Sequence, residues 1–412
     1  MTSTENEVLH LHVGSAAINV GYHTWQLYAL EHRLNTVEQE KILPRCFFTE
    51  WNEDDRRVAR PRALFIDRDS NALNAIQTSE MKDFFHEDQF LSVDQSAELV
   101  SNTIRKQVEM CDRFQGFIFS HSTNGNCSDL SSEILIDLKT EYSKKIVLTN
   151  SIFGSSINIS NMSNLFEYAD VVLPMENKAL FNICQHRLNI QTPTYFNVNR
   201  LIATCWSDIT SSMRFDGCLL SNLNEFSSHL VPFPSLKLIS TYLSPLIPYP
   251  AGENLDCKSP SVYDMCLPSL IEPNSGSIDQ ISEYKMAVSL CLLFRGENII
   301  PKEIGQKLIC DLKKSIRFSS RSPTGFRCGI NYQRPCIFND QSDLMSTDKQ
   351  VLMLTNETTT SKYLCQQALN QYEQSSEKEK DLEGYKHIVE LMMNYEQIEK
   401  EIYDDFQSHS EE

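Results

Sequence analysis

Three observations predict an α/β protein with a parallel sheet and a long helix through its middle. First, Val8–Val13 reads as a strand, Gly14-Ser15-Ala16-Ala17 as a turn of small residues, and Ile18–His32 as a helix. Strand, tight turn and helix open a nucleotide-binding α/β unit, in which phosphate sits on the helix N-terminus. Second, after Pro193, the residues Val198, Leu201, Ile202, Cys205, Trp206, Ile209 and Met213 recur at three- and four-residue steps. That makes one broad apolar helix face, opened by a proline where a helix tolerates one. Third, the runs Leu236–Ile239, Ala287–Phe294, Ser315–Phe318 and Val351–Leu354, with a helical stretch at Lys302–Lys313, read as a second α/β unit.

Taken in order, the first helix carries Ile18, Tyr22, Trp25 and Leu27–Leu30 on its apolar face. Its turn holds only Gly14, with Gly21 further along, so the GxGxxG dinucleotide fingerprint fails. Residues 33–60 are polar and broken by proline, which predicts a surface loop. Ala63–Ile66 reads as a buried strand ending in Asp67-Arg68-Asp69. Gly116–Phe119 reads as a strand feeding the loop 120–133, SHSTNGNCSDLSSE, with a helix from about Leu130. Asn124 and Asn126 tolerate left-handed backbone beside Gly125, and Ser128 or Asp129 is expected to cap the helix. The Ser/Asn-rich residues 151–164 read as a loop, and Met175–Leu180 opens another helix. Phe215-Asp216-Gly217 ends the long helix; a short one carrying Asn222, Glu225 and Phe226 follows, until Pro232 and Pro234 stop it. Residues 373–405 mix Glu and Lys with Leu, Ile and Met, which predicts a helix supported by i,i+4 charge pairs.

The chain has 412 residues, enough for two or three domains, and its 41% hydrophobic content supports a full core. A net charge of −18 argues against nucleic acid as a partner, because a phosphate backbone needs a basic surface. Thirteen cysteines without a CxxC pair fit reduced thiols of the cytosol. No apolar run approaches a membrane span, and MTSTENEV lacks the pattern of a secretory signal, so a cytoplasmic protein without a membrane partner is expected.

Tyr195 and Asn199 lie four residues apart at the start of the long helix and share a face. A ring beside an amide suits a purine: the ring covers the flat face, and the amide offers donor and acceptor to the edge. The same pair also fits a helix start in which the tyrosine packs and the asparagine caps. The wording around it, PTYFNVNRLI followed by SSMRFDGCL, LNEF and LVPFP, resembles the tubulin family, in its alpha branch. LHVGSAAINVG, WQLYALEHRL, ARPRALFIDRD, QGFIFSHS, CLLFRG and SPTGFRCGINYQ extend the resemblance over most of the chain, weakly at 91–112 and 245–283 and poorly after about residue 366.

The resemblance implies a tubulin-like fold. Residues 1–214 would form the nucleotide-binding domain with the central helix, 215–354 a second α/β domain, and 355–412 a C-terminal helical region. GTP and a magnesium ion (Mg) are the implied cofactors. Ser15 and Ala16 stand where the family's first turn touches the phosphates, with Ser15 and Asn19 each replacing a glutamine. Asn124, Gly125, Asn126 and Cys127 stand where the family carries a glycine-dense phosphate loop; here it is one residue shorter and keeps only Gly125. A carboxylate at Asp129 would oppose phosphate at that helix end. Asp67 and Asp69 match acids beside the phosphates and their magnesium, and Gly154 aligns with a glutamate that contacts the ribose. The segment 91–112 is shorter than its counterpart, which removes a loop over the terminal phosphate.

Asn177, Tyr195 and Asn199 match the family's guanine-contacting set. Either guanine nucleotide binds through its base, or these residues serve packing. Phe215–Phe226 matches the element that reaches into the next subunit, where Glu225 would polarise the water attacking the neighbour's nucleotide; a second family acid is Asn222 here, and the loop asparagine is Leu220. Residues 334–350 have the length of the alpha branch. The C-terminal part lacks the aromatic- and glycine-containing segment on which motors dock, and ends in the stub Ser408–Glu412, so motor binding and tail modification are not expected. The expected function is a structural subunit pairing with a beta-type tubulin in a microtubule or specialised filament, in the cytoplasmic cytoskeleton. GTP hydrolysis would occur at most in trans. The alternative is a pseudo-GTPase that keeps the fold, does not polymerise, and binds tubulin or its chaperones. A metabolic enzyme is not supported, because no dinucleotide loop, metal cluster or nucleophile–base pair stands out.

Overall fold

The computed structural model describes residues 6–34, 43–53, 56–93, 97–215, 217, 219–248, 276–278, 285–297, 299–304, 312, 315–319, 326–336, 338, 344–345, 347–374 and 381–410. The first sheet is all parallel. Its strands are β1 (Glu7–Val13), β4 (Ala63–Asp67), β5 (Phe90–Ser92), β6 (Phe114–Ser122), β7 (Ile146–Phe153) and β8 (Val171–Glu176), in the order β5-β4-β1-β6-β7-β8. The register pairs Leu11 with Leu64 on one side of β1 and with Phe119 on the other. Both faces are covered, as a parallel sheet requires. On one face lie α1 (Ser15–Glu31), α2 (Ser70–Gln77), α6 (Asn177–Asn182), the central helix α7 (Tyr195–Ile209) and α9 (Leu223–Leu230), which enclose Trp25, Phe48, Leu201, Trp206 and Phe226. The other face is covered by α3 (Ala97–Glu109), α4 (Ser128–Glu141), α5 (Ile159–Tyr168), α10 (Thr358–Gln374) and α11 (Leu382–Ser410), around Phe117, Leu135, Phe166, Leu364 and Tyr395.

The second sheet is mixed. β10 (Lys285–Gly296) pairs in parallel with β11 (Ile316–Phe318) and β12 (Phe326–Asn331), and antiparallel with β13 (Lys349–Glu357); β13 pairs antiparallel with β9 (Ser240–Ser244). Cys291 and Leu293 of β10, with Leu352 and Leu354 of β13, join the core that holds α7 and α9. The α/β expectation, with a parallel sheet, a central helix, a second sheet and C-terminal helices, is the architecture observed.

Several local expectations need correction. The first helix starts at Ser15, not Ile18: Gly14, at φ 85, turns the chain sharply, and its carbonyl already accepts from Ile18 N at 2.9 Å. The polar segment 33–60 holds a β-hairpin, β2 (Phe48–Glu53) with β3 (Arg56–Pro61), because Phe47 and Phe48 are fully buried among polar neighbours. Residues 151–164 are not one loop. β7 runs to Phe153, and α5 begins at Ile159 with the Asn158 side chain accepting from Asn161 N at the N-cap. Ile159, Met162, Leu165 and Phe166 of α5 are buried, an apolar face that the Ser/Asn content conceals. The strand expected at Leu236–Ile239 lies later, at Ser240–Ser244; Leu238 makes only a single parallel bridge to Val172. Most of Lys302–Lys313 and much of 334–350 lie outside the described residues.

The central helix is tied down at its far end by four buried charges. Arg214 of the short helix α8 (Ser211–Arg214) reaches Glu31 of α1 at 2.5 Å. Arg295 of β10 bridges Glu31 at 2.6 Å and Asp208 of α7 at 3.1 Å. Ser207 donates to Glu31 Oε1 at 2.6 Å. Two cations against two anions leave the cluster neutral, which is the condition for burying charge. Burial alone pushes the Glu31 carboxyl up, but the Arg214 and Arg295 guanidiniums bring it down to about 2. Asp208 is pushed by burial to about 6 against the pull of Arg295. One cluster thus joins the first helix, the central helix and the second sheet.

Candidate functional site

At the opposite end of α7 lies a polar cleft of about 960 Å³. Its walls come from the N-terminus of α1, the end of β7 and the loop after it, the β8–α6 junction, the first turn of α7, and α10. Thr194 starts α7 through a capping box: its backbone N–H donates to Asn197 Oδ1 at 2.8 Å. The cap leaves Tyr195 and Asn199 on the cleft side. Tyr195 is 63% exposed, with its ring edge-on to Phe181 at 5.2 Å. An aromatic face left open beside a second ring is a stacking surface rather than core packing. Asn177 opens α6 directly after β8 and lines the same cleft. The structure therefore brings together Asn177, Tyr195 and Asn199, with Ser15, Ala16 and Asn124.

The end of the cleft at α1 carries fewer side chains able to bind. Ser15 and Ala16 form the first turn of α1, whose free N–H groups favour an anion. A Cβ on Gly14 would come 3.2 Å from Cys127 Cβ, so glycine is needed both for φ 85 and for the close approach of the two loops. Asn124 lies over Gly154, where a Cβ would meet its amide nitrogen, and its side chain is held by Ser122 and Ser156 at 3.0 and 3.2 Å. Gly125 has φ +96 with open space beyond it, a turn that glycine adopts freely. Gly125, Asn126 and Cys127 are not in the cleft wall. The Asn126 carbonyl accepts from Arg68 at 2.9 Å, and the Cys127 thiol, pushed by burial to about 11, donates to Asp67 Oδ1 at 3.2 Å.

Neither Ser128 nor Asp129 caps α4, contrary to expectation. Cys127 occupies the N-cap position without a side-chain bond, Ser128 Oγ donates back to the Gly125 carbonyl at 2.9 Å, and Asp129 accepts from Asn161 Nδ2 of α5 at 3.3 Å. Helix-to-helix pairing thus draws the Asp129 carboxylate toward α5.

The donor set suits a purine base better than a metal. Asp69 is engaged by Asn71, whose N–H and side-chain amide donate to its two oxygens at 3.0 and 2.9 Å, so it caps α2. Asp67 is buried and accepts from Asp69 N and Cys127 Sγ through one oxygen; its other oxygen has no hydrogen-bond partner. Neither aspartate lines the cleft, and the described residues contain no cluster of three metal-ligating side chains. A magnesium ion that kept its waters and phosphate ligands would find at most the single Asp67 oxygen here, which is a poor fit.

Glu225 stands away from the cleft, in the first turn of α9. Asn222 Oδ1 accepts from Glu225 N at 3.1 Å, while Glu225 Oε1 accepts from Asn222 Nδ2 at 2.6 Å and from Ser221 Oγ at 2.9 Å. The half-buried carboxylate therefore closes its own helix cap. Asn222, which cannot act as an acid, is the cap residue.

One wall of the cleft was not anticipated from sequence. Gln367, Asn370, Gln371 and Gln374 of α10 line it together with the α7 turn. Spacing alone marks these residues only as a polar helix face; nothing local ties residues 367–374 to residues 177–199.

The comparisons bear on lineage and fold. The family model for the Tubulin/FtsZ family, GTPase domain, matches residues 7–185. The tubulin alpha chain of the Guillardia theta nucleomorph is 33% identical over 389 residues, covering 86% of this chain and 86% of that protein. The tubulin alpha-1 chain of Arabidopsis thaliana is 29% identical over 386 residues, covering 85% of this chain and 84% of its own length. With a parallel GTPase-type sheet, a cleft at the start of its central helix and relatedness of this depth over most of its length, the chain belongs to the tubulin family, as a divergent member.

Proposed function

We propose that this chain is a structural subunit of tubulin type, which pairs with a beta-type tubulin and holds a guanine nucleotide chiefly by its base. The observation that carries the reading is the unequal cleft. Asn177, Tyr195 and Asn199 all line it, while the loop 124–127 contributes only Asn124. Tyr195 supplies the stacking face, and the two amides supply paired donors and acceptors to the purine edge. For phosphate the chain offers the N–H groups of the α1 first turn, with Lys178 the one cation among the described lining residues, so the grip on phosphate is weaker than on the base.

Bound GTP would supply a phosphoanhydride for hydrolysis. The chain's own part in that reaction is limited to Glu225, acting on a partner's nucleotide if its bonds to Ser221 and Asn222 open at a subunit junction. No step here is assigned to magnesium. The lineage relates this protein to the cytoskeleton. Among the described residues no helix is long and apolar enough to cross a membrane.

The decisive experiment is nucleotide analysis of the purified chain after gentle denaturation. Release of close to one guanine nucleotide per chain is expected, and a protein free of nucleotide overturns the binding reading. Pairing is tested separately, by co-purification with a beta-type tubulin and co-sedimentation with stabilised polymer. Persistent recovery in the soluble fraction overturns the subunit reading in favour of a non-polymerising, tubulin-binding role.

A further inference from the structure

The wall contributed by α10 is built, not incidental. At one end Tyr363 donates to Glu176 Oε1 at 3.3 Å, at the β8–α6 junction beside Asn177. At the other end Gln371 takes hold of the loop after β7: its Oε1 accepts from Ile157 N, and its Nε2 donates to the Ser155 carbonyl at 2.9 Å. Gln367 lies four residues from each anchor and so shares their helix face. It sits on the helix between two fixed points and lines the cleft. Asn370 is oriented as well, because its Oδ1 accepts from Gln366 Nε2 at 2.9 Å, which leaves its amide N–H groups to donate.

The chemistry of this wall selects what it can meet. Amides carry no charge, so they are poor partners for phosphate. They pair donor and acceptor at one site, which matches a hydroxyl that must both give and take a hydrogen bond. The part of a nucleotide with neighbouring hydroxyls is the sugar. Facing the wall, Gly154 presents no side chain that could reach a sugar, and Asn124 lies over it with its amide already held by Ser122 and Ser156.

We propose that Gln367 and Asn370 of the C-terminal helix α10 recognise the 2′- and 3′-hydroxyls of the bound nucleotide's sugar. This rests on the guanine-nucleotide reading above and adds to it a specificity for ribose, supplied from the far end of the chain. It also ties the ligand to the C-terminal hairpin. α10 stacks on α11 through Tyr372 and Tyr385, with ring centroids 4.6 Å apart, and α11 is held to α5 through His387 and Ser163 at 2.8 Å. Sugar contacts on α10 would therefore bear on the whole helical pair.

The test compares GDP with 2′,3′-dideoxy-GDP on the full-length chain by equilibrium titration. The wild-type chain should prefer GDP by about tenfold, the effect of one to two neutral hydrogen bonds. In Gln367→Ala with Asn370→Ala the preference should fall to about twofold or less, while dideoxy-GDP binds as before. In Asn177→Ala both ligands should weaken together with the preference intact. Equal binding of the two ligands to the wild-type chain overturns the sugar assignment and leaves the base reading standing. Failure of the wild-type chain to bind either ligand overturns both. A preference that persists in the folded double variant overturns the assignment to α10; if that variant does not fold, Gln367→Ala and Asn370→Ala taken singly give the same comparison, and an undiminished preference in both overturns it equally.

Discussion

At its N-terminal end the central helix presents Tyr195 and Asn199 to an open cleft, whereas at its C-terminal end Ser207 and Asp208 are sealed among Glu31, Arg214 and Arg295. The first end is an exposed ring beside amides with unfilled bonding capacity. The second is a neutral set of four charges in which nearly every partner is already supplied by the chain. The difference teaches where a divergent chain can change. A ligand-facing end tolerates substitution without loss of the fold, and a buried charge cluster does not, because removing one member strands the others away from water.

The largest effect should come from breaking the sealed end. Glu31→Ala leaves Arg214 and Arg295 without their shared carboxylate and should cost about 3–5 kcal/mol of stability in urea denaturation. A loss below about 1 kcal/mol would mean that the cluster does not hold the helix. Acid should act next. Burial holds the His12 ring down to about 3 and the His121 ring to about 4, and His10, buried beside His12, is lowered as well.

The unfolded chain takes up protons at these rings below about pH 6.5, while the folded chain does not. Stability is therefore complete above that pH and falls as pH drops toward the folded values. At pH 5 the loss is about 2 kcal/mol each for His12 and His121. Asp208 runs the other way between about pH 6 and its unfolded value, because its raised carboxyl takes a proton first in the folded state, returning about 1 kcal/mol at pH 5. Denaturant midpoints at pH 7 and pH 5 check the net direction; a flat profile would contradict neutral, buried rings.

A smaller loss is expected at the junction element. Glu225→Ala removes the carboxylate that holds Ser221 and the Asn222 cap in place and should cost about 1 kcal/mol. If Glu225 also acts in trans, phosphate release from a co-assembled polymer should slow; turnover unchanged beside a measurable loss of stability would leave it a capping residue alone. The smallest effect on stability should be at the open end. Tyr195→Ala should shift unfolding by less than about 0.5 kcal/mol without ligand, yet weaken guanine nucleotide about tenfold through the lost stacking face. Destabilisation on the scale of Glu31→Ala would erase the contrast between the two ends and make Tyr195 a packing residue.

Much of the fold was legible. The apolar steps from Val198 to Met213 mark the central helix, and the small-residue turn after β1 marks a phosphate-type entry. Legibility failed where burial and composition disagree. Phe47 and Phe48 are core residues inside a polar segment, so the β2–β3 hairpin was read as loop. α5 was hidden by serines and asparagines, although Asn158 followed by Ile159, Met162, Leu165 and Phe166 carries both a cap and an apolar face. At the site, Tyr195 and Asn199 stood out because they share one helix turn, Asn177 only through the resemblance to a family, and all three line the cleft. The amides of α10 did not stand out, since a run of glutamines on a helix says nothing about what stands opposite it.

The sequence by itself determined which segments are strands and helices with strong periodicity, the polar, uncharged character of the residues that open the central helix, and membership in a lineage, because these depend on residue types and short spacings. Tertiary structure alone decided what meets across distance. It placed Gln367 and Tyr195 in one cleft, turned Asp129 toward Asn161, spent Asp69 and Glu225 on helix caps, and gathered residues 31, 208, 214 and 295 into one neutral cluster. Such meetings are fixed by how the layers pack, and a side chain's chemistry becomes a function only when packing supplies its partner or withholds it.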